Sequence, residues 1–184
     1  MGSLSGKLIL VTGGVRSGKS TFAEQYVTQA GGKVAYIATA QAADEEMRLR
    51  VAWHRRRRPA AWQTFEAPYA ADRVLAAAVQ TTDQVLFDCL TIYVSNLLLA
   101  MAEKPADREE RHRQVLAQID RLIASARSGP ATVVFVTNEV GMGIVPDNFL
   151  AREYRDIAGL VNQKVAARAD EVYLVICGLA VELK

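Results

Sequence analysis

Leu8-Ile9-Leu10-Val11-Thr12-Gly13-Gly14-Val15-Arg16-Ser17-Gly18-Lys19-Ser20 decides the fold of this chain. Residues 8–11 are an unbroken apolar run, the pattern of a strand buried on both faces. The run leads directly into G-x-x-x-x-G-K-S, the phosphate-loop pattern known as Walker A. Gly13, Gly14 and Gly18 let the backbone curl so that several N–H groups point at one phosphate, with Val15, Arg16 and Ser17 completing the loop. A helix starting near Lys19 adds the positive end of its dipole. Lys19 is expected to reach the β- and γ-phosphates, and the Ser20 hydroxyl to ligate Mg²⁺. Phe22, Tyr26 and Val27 then give that helix an apolar side, so the motif sits in the strand–loop–helix context it requires.

Working outward, four more apolar runs recur at residues 34–38, 85–87, 133–136 and 172–176. They lack polar alternation, as strands of a parallel sheet do. Helix-period stretches lie between them. In residues 108–125, Val115, Ile119, Leu122 and Ile123 share one face. In residues 148–168, Leu150, Tyr154, Ile157, Val161 and Val165 do so. The expected fold class is therefore α/β, a mostly parallel sheet of the phosphate-loop NTPase kind with helices on both faces. In such sheets ligands bind at the carboxyl ends of the strands. Asp88 ends one run and is the expected Mg²⁺ partner, directly or through water. Asn138 and Glu139 end another and are a second polar pair to inspect.

The 184 residues, 51% hydrophobic and 23% charged, are ordinary globular composition. They are expected to form one nucleotide-binding catalytic domain over residues 1–184. Folding at this length buries roughly 70% of the unfolded surface, enough for a core without staples. Disordered, collagen-like and coiled-coil chains are excluded. A net charge of only +2 argues against a dedicated nucleic-acid binder. The apolar run at residues 8–11 is too short for a signal core, and no stretch approaches the roughly 20 apolar residues of a membrane helix. The expected location is the cytoplasm. Cys89 and Cys177 each sit inside an apolar run and are read as buried small hydrophobes in a reducing compartment. With only two cysteines and two histidines, there is no zinc-site spacing.

Residues 44–58 read D-E-E-M-R-L-R-V-A-W-H-R-R-R-R. One reading is a solvated helix end whose Arg and His complement the dipole. The other is a nucleophile beside a polyphosphate clamp. A neutral imidazole of His54 attacks phosphorus, while Arg55, Arg56, Arg57 and Arg58 stabilise the pyrophosphate that leaves. Local chemistry leaves both open. His112, within a charged stretch, is read as solvated and non-functional.

Several stretches together resemble one family. They are the phosphate loop 13–20, Tyr36-Ile37-Ala38-Thr39-Ala40, Asp44-Glu45-Glu46-Met47, Arg50-Val51-Ala52-Trp53-His54-Arg55 and Arg58-Pro59-Ala60-Ala61-Trp62. With them go Asp88-Cys89-Leu90-Thr91, Ser95-Asn96-Leu97-Leu98, Thr137-Asn138-Glu139-Val140-Gly141-Met142-Gly143-Ile144-Val145-Pro146 and residues 154–163. The sequence is similar, over residues 8–184, to the bifunctional adenosylcobinamide kinase/adenosylcobinamide-phosphate guanylyltransferases of cobalamin biosynthesis.

The resemblance implies a RecA-like sheet and a trimer. It implies phosphorylation of the aminopropanol hydroxyl of adenosylcobinamide by ATP or GTP, then transfer of GMP from GTP to that phosphate through a guanylylated histidine. His54 matches that histidine. Some members carry two adjacent histidines where this chain has Trp53-His54, so His54 is the single candidate. Implied nucleotide contacts are the phosphate loop, Ala38, Thr39, Ala40, the arginines 55–58, Glu66 and Asp88. The alternative is a phosphate-loop small-molecule kinase without nucleotidyl transfer. A nucleotide-binding regulatory module without chemistry, and a guanylyltransferase lacking the kinase step, are two further readings.

Overall fold

The five apolar runs are all strands. The computed structural model describes residues 6–41, 45, 58–102 and 107–184. It builds β1 (Leu8–Gly13), α1 (Lys19–Ala30), β2 (Val34–Ala38), β3 (Gln63–Glu66), α2 (Ala71–Thr81) and β4 (Gln84–Asp88). It continues with α3 (Leu90–Ala102), α4 (Arg108–Ala126), β5 (Thr132–Val136), α5 (Phe149–Arg168), β6 (Glu171–Ile176) and β7 (Leu179–Glu182). The strands form one sheet in the order β3-β2-β4-β5-β1-β6-β7. All neighbours are parallel except the terminal pair β6–β7.

Side chains alternate across a strand, so each strand feeds two cores. Ile9, Val11, Tyr36, Leu86, Val134 and Val136 pack with Ala23 and Val27 of α1 on one face. Leu8, Leu10, Ile37, Phe87, Val133 and Phe135 pack with α2, α3, α4 and α5 on the other. Helices do cover both faces. The two amphipathic stretches are α4 and α5, opened by side-chain caps. Asp107 accepts from the Glu110 amide at 2.7 Å, and Asn148 accepts from the Ala151 amide at 3.0 Å.

Two readings are corrected. Cys89 is buried, but Cys177 is exposed. It lies past the end of β6 in the turn to β7, with φ 53°, so the apolar run before it stops short of the thiol. His112 is half-buried rather than solvated, because α4 turns it toward the buried Glu153 of α5, at 3.8 Å. Burial and the nearby Arg108 push its pKa below the ordinary histidine value.

Candidate active site

The phosphate loop is held from three sides. Within it, the Ser17 amide donates to the Gly14 carbonyl at 3.2 Å, and the Phe22 amide to the Gly18 carbonyl at 2.9 Å. From behind, the Gly178 amide donates to the Ser17 carbonyl at 2.7 Å. Beside it, the Glu139 amide donates to the Gly13 carbonyl at 3.1 Å. Gly18 adopts φ 97°, a region L side chains avoid, and a Cβ there would sit 3.0 Å from the Gly178 Cα. A Cβ on Gly13 would meet the Val175 carbonyl oxygen at 2.5 Å and Ser17 Oγ at 2.6 Å. The loop backbone is thus packed closely below, while Gly14, Val15 and Arg16 are exposed above.

Gly18 precedes α1 at the N-cap position and offers no side-chain cap. The first-turn N–H groups of α1 are left for an anion at the positive end of the helix. Lys19 Nζ donates to the Gly14 carbonyl at 3.1 Å, spanning the loop. Burial lowers its pKa from the ordinary lysine value, opposed by the nearby Asp88 carboxylate. A partly desolvated ammonium beside a cradle of N–H groups favours a phosphate oxygen as partner.

Asp88 ends β4 on the α1 face of the sheet, the face that also carries Tyr36 and Val11. The Tyr36 hydroxyl donates to Asp88 Oδ2 at 2.8 Å. Burial, and then the Asp88 charge, raise the Tyr36 pKa well above its usual value, so this phenol remains a donor. The Arg58 guanidinium lies over the Tyr36 ring, 3.3 Å from its centroid. Trp62 stacks nearby, with centroids 6.5 Å apart and planes at 26°.

Ala38 at the end of β2 pairs in register with Asp88 on one side and Glu66 on the other. Glu66 is exposed at that carboxyl edge, and Ala40 is half-buried just beyond it. Thr39 between them is fully buried. Its hydroxyl donates to the Cys89 carbonyl and accepts from the Cys89 amide, both at 2.9 Å. Its side chain therefore ties two strand ends together. Asn96 of α3 secures the same corner by donating to the Thr39 carbonyl at 2.9 Å. Burial pushes the Cys89 thiol up to about 11, so it stays protonated and unreactive.

Asn138 is held rather than free. Its amide donates to Thr91 Oγ1 at 2.7 Å, and its carbonyl accepts from Asn162 Nδ2 at 3.1 Å. Beyond it, Met142, Ile144 and Val145 are 87%, 96% and 65% exposed, an apolar loop beside the phosphate loop. Arg155 of α5 donates to the Gly141 carbonyl. Sequence reasoning did not single out Tyr36, Trp62 or Gly178 for the site. Tyr36 and Trp62 stand in stretches that carry the family likeness, which was the available signal. Gly178 had none.

The described residues hold no group of three or more His, Cys, Asp or Glu side chains suited to a metal ion. One hydroxyl, Ser20, and one carboxylate, Asp88, fit Mg²⁺, which is usually held by one or two carboxylates plus substrate phosphates and water. His54, Arg55, Arg56 and Arg57 lie outside the described residues.

The family described as cobinamide kinase / cobinamide phosphate guanyltransferase matches residues 9–183. A Salmonella typhimurium protein named bifunctional adenosylcobalamin biosynthesis protein CobU is 48% identical over 181 residues, covering 96% of this chain and 99% of that one. Its Escherichia coli namesake is 46% identical with the same coverage. The Pseudomonas aeruginosa bifunctional adenosylcobalamin biosynthesis protein CobP is 40% identical over 175 residues, 95% of this chain and 96% of that one. Two solved structures share the fold. A type III secretion ATPase has a TM-score of 0.60 at 14% identity, covering 97% of this chain and 58% of that one. The RadB recombinase has a TM-score of 0.51 at 20% identity, covering 94% and 76%. The RecA-like sheet is thereby found.

Proposed function

The chain belongs to the cobinamide kinase / cobinamide phosphate guanyltransferase family, and from that premise we propose how its own residues perform the two reactions. The enzyme phosphorylates adenosylcobinamide and then transfers a guanylyl group to the new phosphate, giving adenosylcobinamide-GDP. The observation that carries the reading is the braced phosphate loop with Lys19 across its mouth and Asp88 on the same sheet face.

In the kinase step the loop N–H groups and Lys19 orient the triphosphate of ATP or GTP. The aminopropanol oxygen forms a bond to the γ-phosphorus and gives up its hydroxyl proton to solvent, the bond to the β-phosphate oxygen breaks, and the nucleoside diphosphate leaves. Lys19 carries positive charge to the oxygens where negative charge gathers. Ser20 and Asp88 would hold Mg²⁺, which supplies further charge neutralisation when bound.

In the guanylyl step a neutral ring nitrogen of His54 attacks the α-phosphorus of GTP and pyrophosphate leaves. An oxygen of the substrate phosphate then attacks the guanylylated His54, releasing adenosylcobinamide-GDP and free imidazole. The histidine divides one difficult displacement into two easier ones. Arg55, Arg56, Arg57 and Arg58 offer forked donors to the leaving pyrophosphate. Ala38, Ala40 and Glu66 line the carboxyl edge where the nucleotide lies, with Thr39 and Cys89 pinning that edge.

The enzyme acts as one catalytic domain, as a trimer in the cytoplasm. No helix of the described residues is long and apolar enough to cross a membrane. Incubation with adenosylcobinamide, Mg²⁺ and GTP, followed by chromatography and mass spectrometry of the corrinoids, tests the reading. The phosphate and then the GDP adduct should accumulate in sequence. A reaction that stops at the phosphate would instead mark a kinase without nucleotidyl transfer.

A further inference from the structure

We infer that Tyr36 is a positioning residue, whose hydroxyl fixes the Asp88 carboxylate for the magnesium–nucleotide complex. The inference rests on Asp88 as a metal-holding residue, the reading proposed above.

A carboxylate at a strand end can rotate about its last torsion, and it presents two equivalent oxygens. The Tyr36 hydroxyl engages one of them, Oδ2, at 2.8 Å. That bond selects which oxygen the phosphate loop meets. Metal-holding carboxylates are commonly oriented by such outer hydrogen bonds, whose removal typically weakens metal binding tenfold or more.

The phenol is itself immobile. Tyr36 is 2% exposed in the middle of β2. Arg58 covers its ring at 3.3 Å from the centroid, and Trp62 stacks alongside. Register places Tyr36 opposite Leu86 and Ala38 opposite Asp88, so the hydroxyl reaches one step up the neighbouring strand on the same face. A packed ring thus holds a donor in a set position, which is what preorganisation requires. Arg58 also packs on the residue that holds Asp88, which brings the end of the arginine run to the phosphate-loop side of the sheet.

The test is calorimetric binding of β,γ-imido-GTP, whose γ-phosphoryl group is not transferred, with Mg²⁺ and with EDTA, in a His54→Ala background that cannot be guanylylated. Tyr36→Phe, Asp88→Asn and the combination are compared, with thermal melts as a folding check. Tyr36→Phe should bind normally in EDTA and lose about tenfold in Mg²⁺. Asp88→Asn should lose at least as much, and the combination no more than Asp88→Asn alone, since one residue acts through the other. Normal Mg²⁺-dependent binding by Tyr36→Phe, with Asp88→Asn weakened, overturns the Tyr36 inference and leaves the Asp88 reading intact. Equal losses with and without Mg²⁺, or losses that add, overturn it as well. An unaffected Asp88→Asn overturns both.

Discussion

The Gly178 amide donates to the Ser17 carbonyl oxygen at 2.7 Å, so the turn between β6 and β7 braces the phosphate loop from behind. The contact is close because Gly18 has no side chain and adopts φ 97°. Gly18→Ala would place a Cβ 3.0 Å from the Gly178 Cα, a backbone atom that cannot swing aside as a flexible side chain would. The substitution should cost about 1–3 kcal/mol of stability from the unfavourable φ alone. Nucleotide affinity should fall by more than the melting temperature alone accounts for, because the loop must shift to relieve the contact. Thermal melts and nucleotide titration of the same preparation check both.

Lys19 makes a pH-dependent prediction. Burial lowers its pKa from 10.5. A phosphate oxygen beside it favours the charged ammonium and raises the pKa again. Nucleotide binding should therefore take up protons at alkaline pH, and affinity, full below the free enzyme's lowered value, should decline as pH rises through it toward the bound one. Calorimetry in two buffers of different ionisation enthalpy measures that uptake. In Lys19→Met the uptake should vanish and kinase turnover should fall by roughly 10²–10³.

Glu153 and Arg111 make a prediction about stability. Glu153 is 1% exposed and takes two hydrogen bonds from Arg111, at 2.9 and 2.8 Å. The Arg111 bonds hold its carboxyl below the usual value of 4.5. A depressed folded-state pKa means that this contribution is full above pH 4.5. It is lost as pH falls through the lower folded value. Arg111→Met removes both charge-assisted hydrogen bonds from the Glu153 carboxylate, leaving His112 at 3.8 Å as its basic neighbour, and should lower stability at neutral pH. The double change Arg111→Met with Glu153→Leu should recover most of that. Denaturant melts at neutral pH and in acid separate the two cases.

The five strands were legible because their apolar runs are unbroken, and the phosphate loop because its chemistry demands those residues. β3 and β7 were not. Gln63-Thr64-Phe65-Glu66 and Leu179-Ala180-Val181-Glu182 are short edge strands that mix polar and apolar residues. α3 was missed for the opposite reason: Leu90–Ala102 is apolar nearly all round, so it shows no helical stripe. Asp88 was legible as a strand-end carboxylate. Its partner Tyr36 lies 52 residues away, and only the sheet register brings them together. The same holds for His112, whose surroundings depend on α5 packing against α4. Thr39 was legible as part of the family pattern, but its bonds to Cys89 belong to the fold.

Covalent catalysis at His54 leaves a mark on the protein itself, which intact-protein mass spectrometry after incubation with GTP and Mg²⁺ detects. Wild type should gain the mass of one guanylyl group, the adduct should be labile in acid, and His54→Ala should gain nothing. Unmodified wild-type protein with GTP binding demonstrated, or an adduct that persists in His54→Ala, would contradict the account.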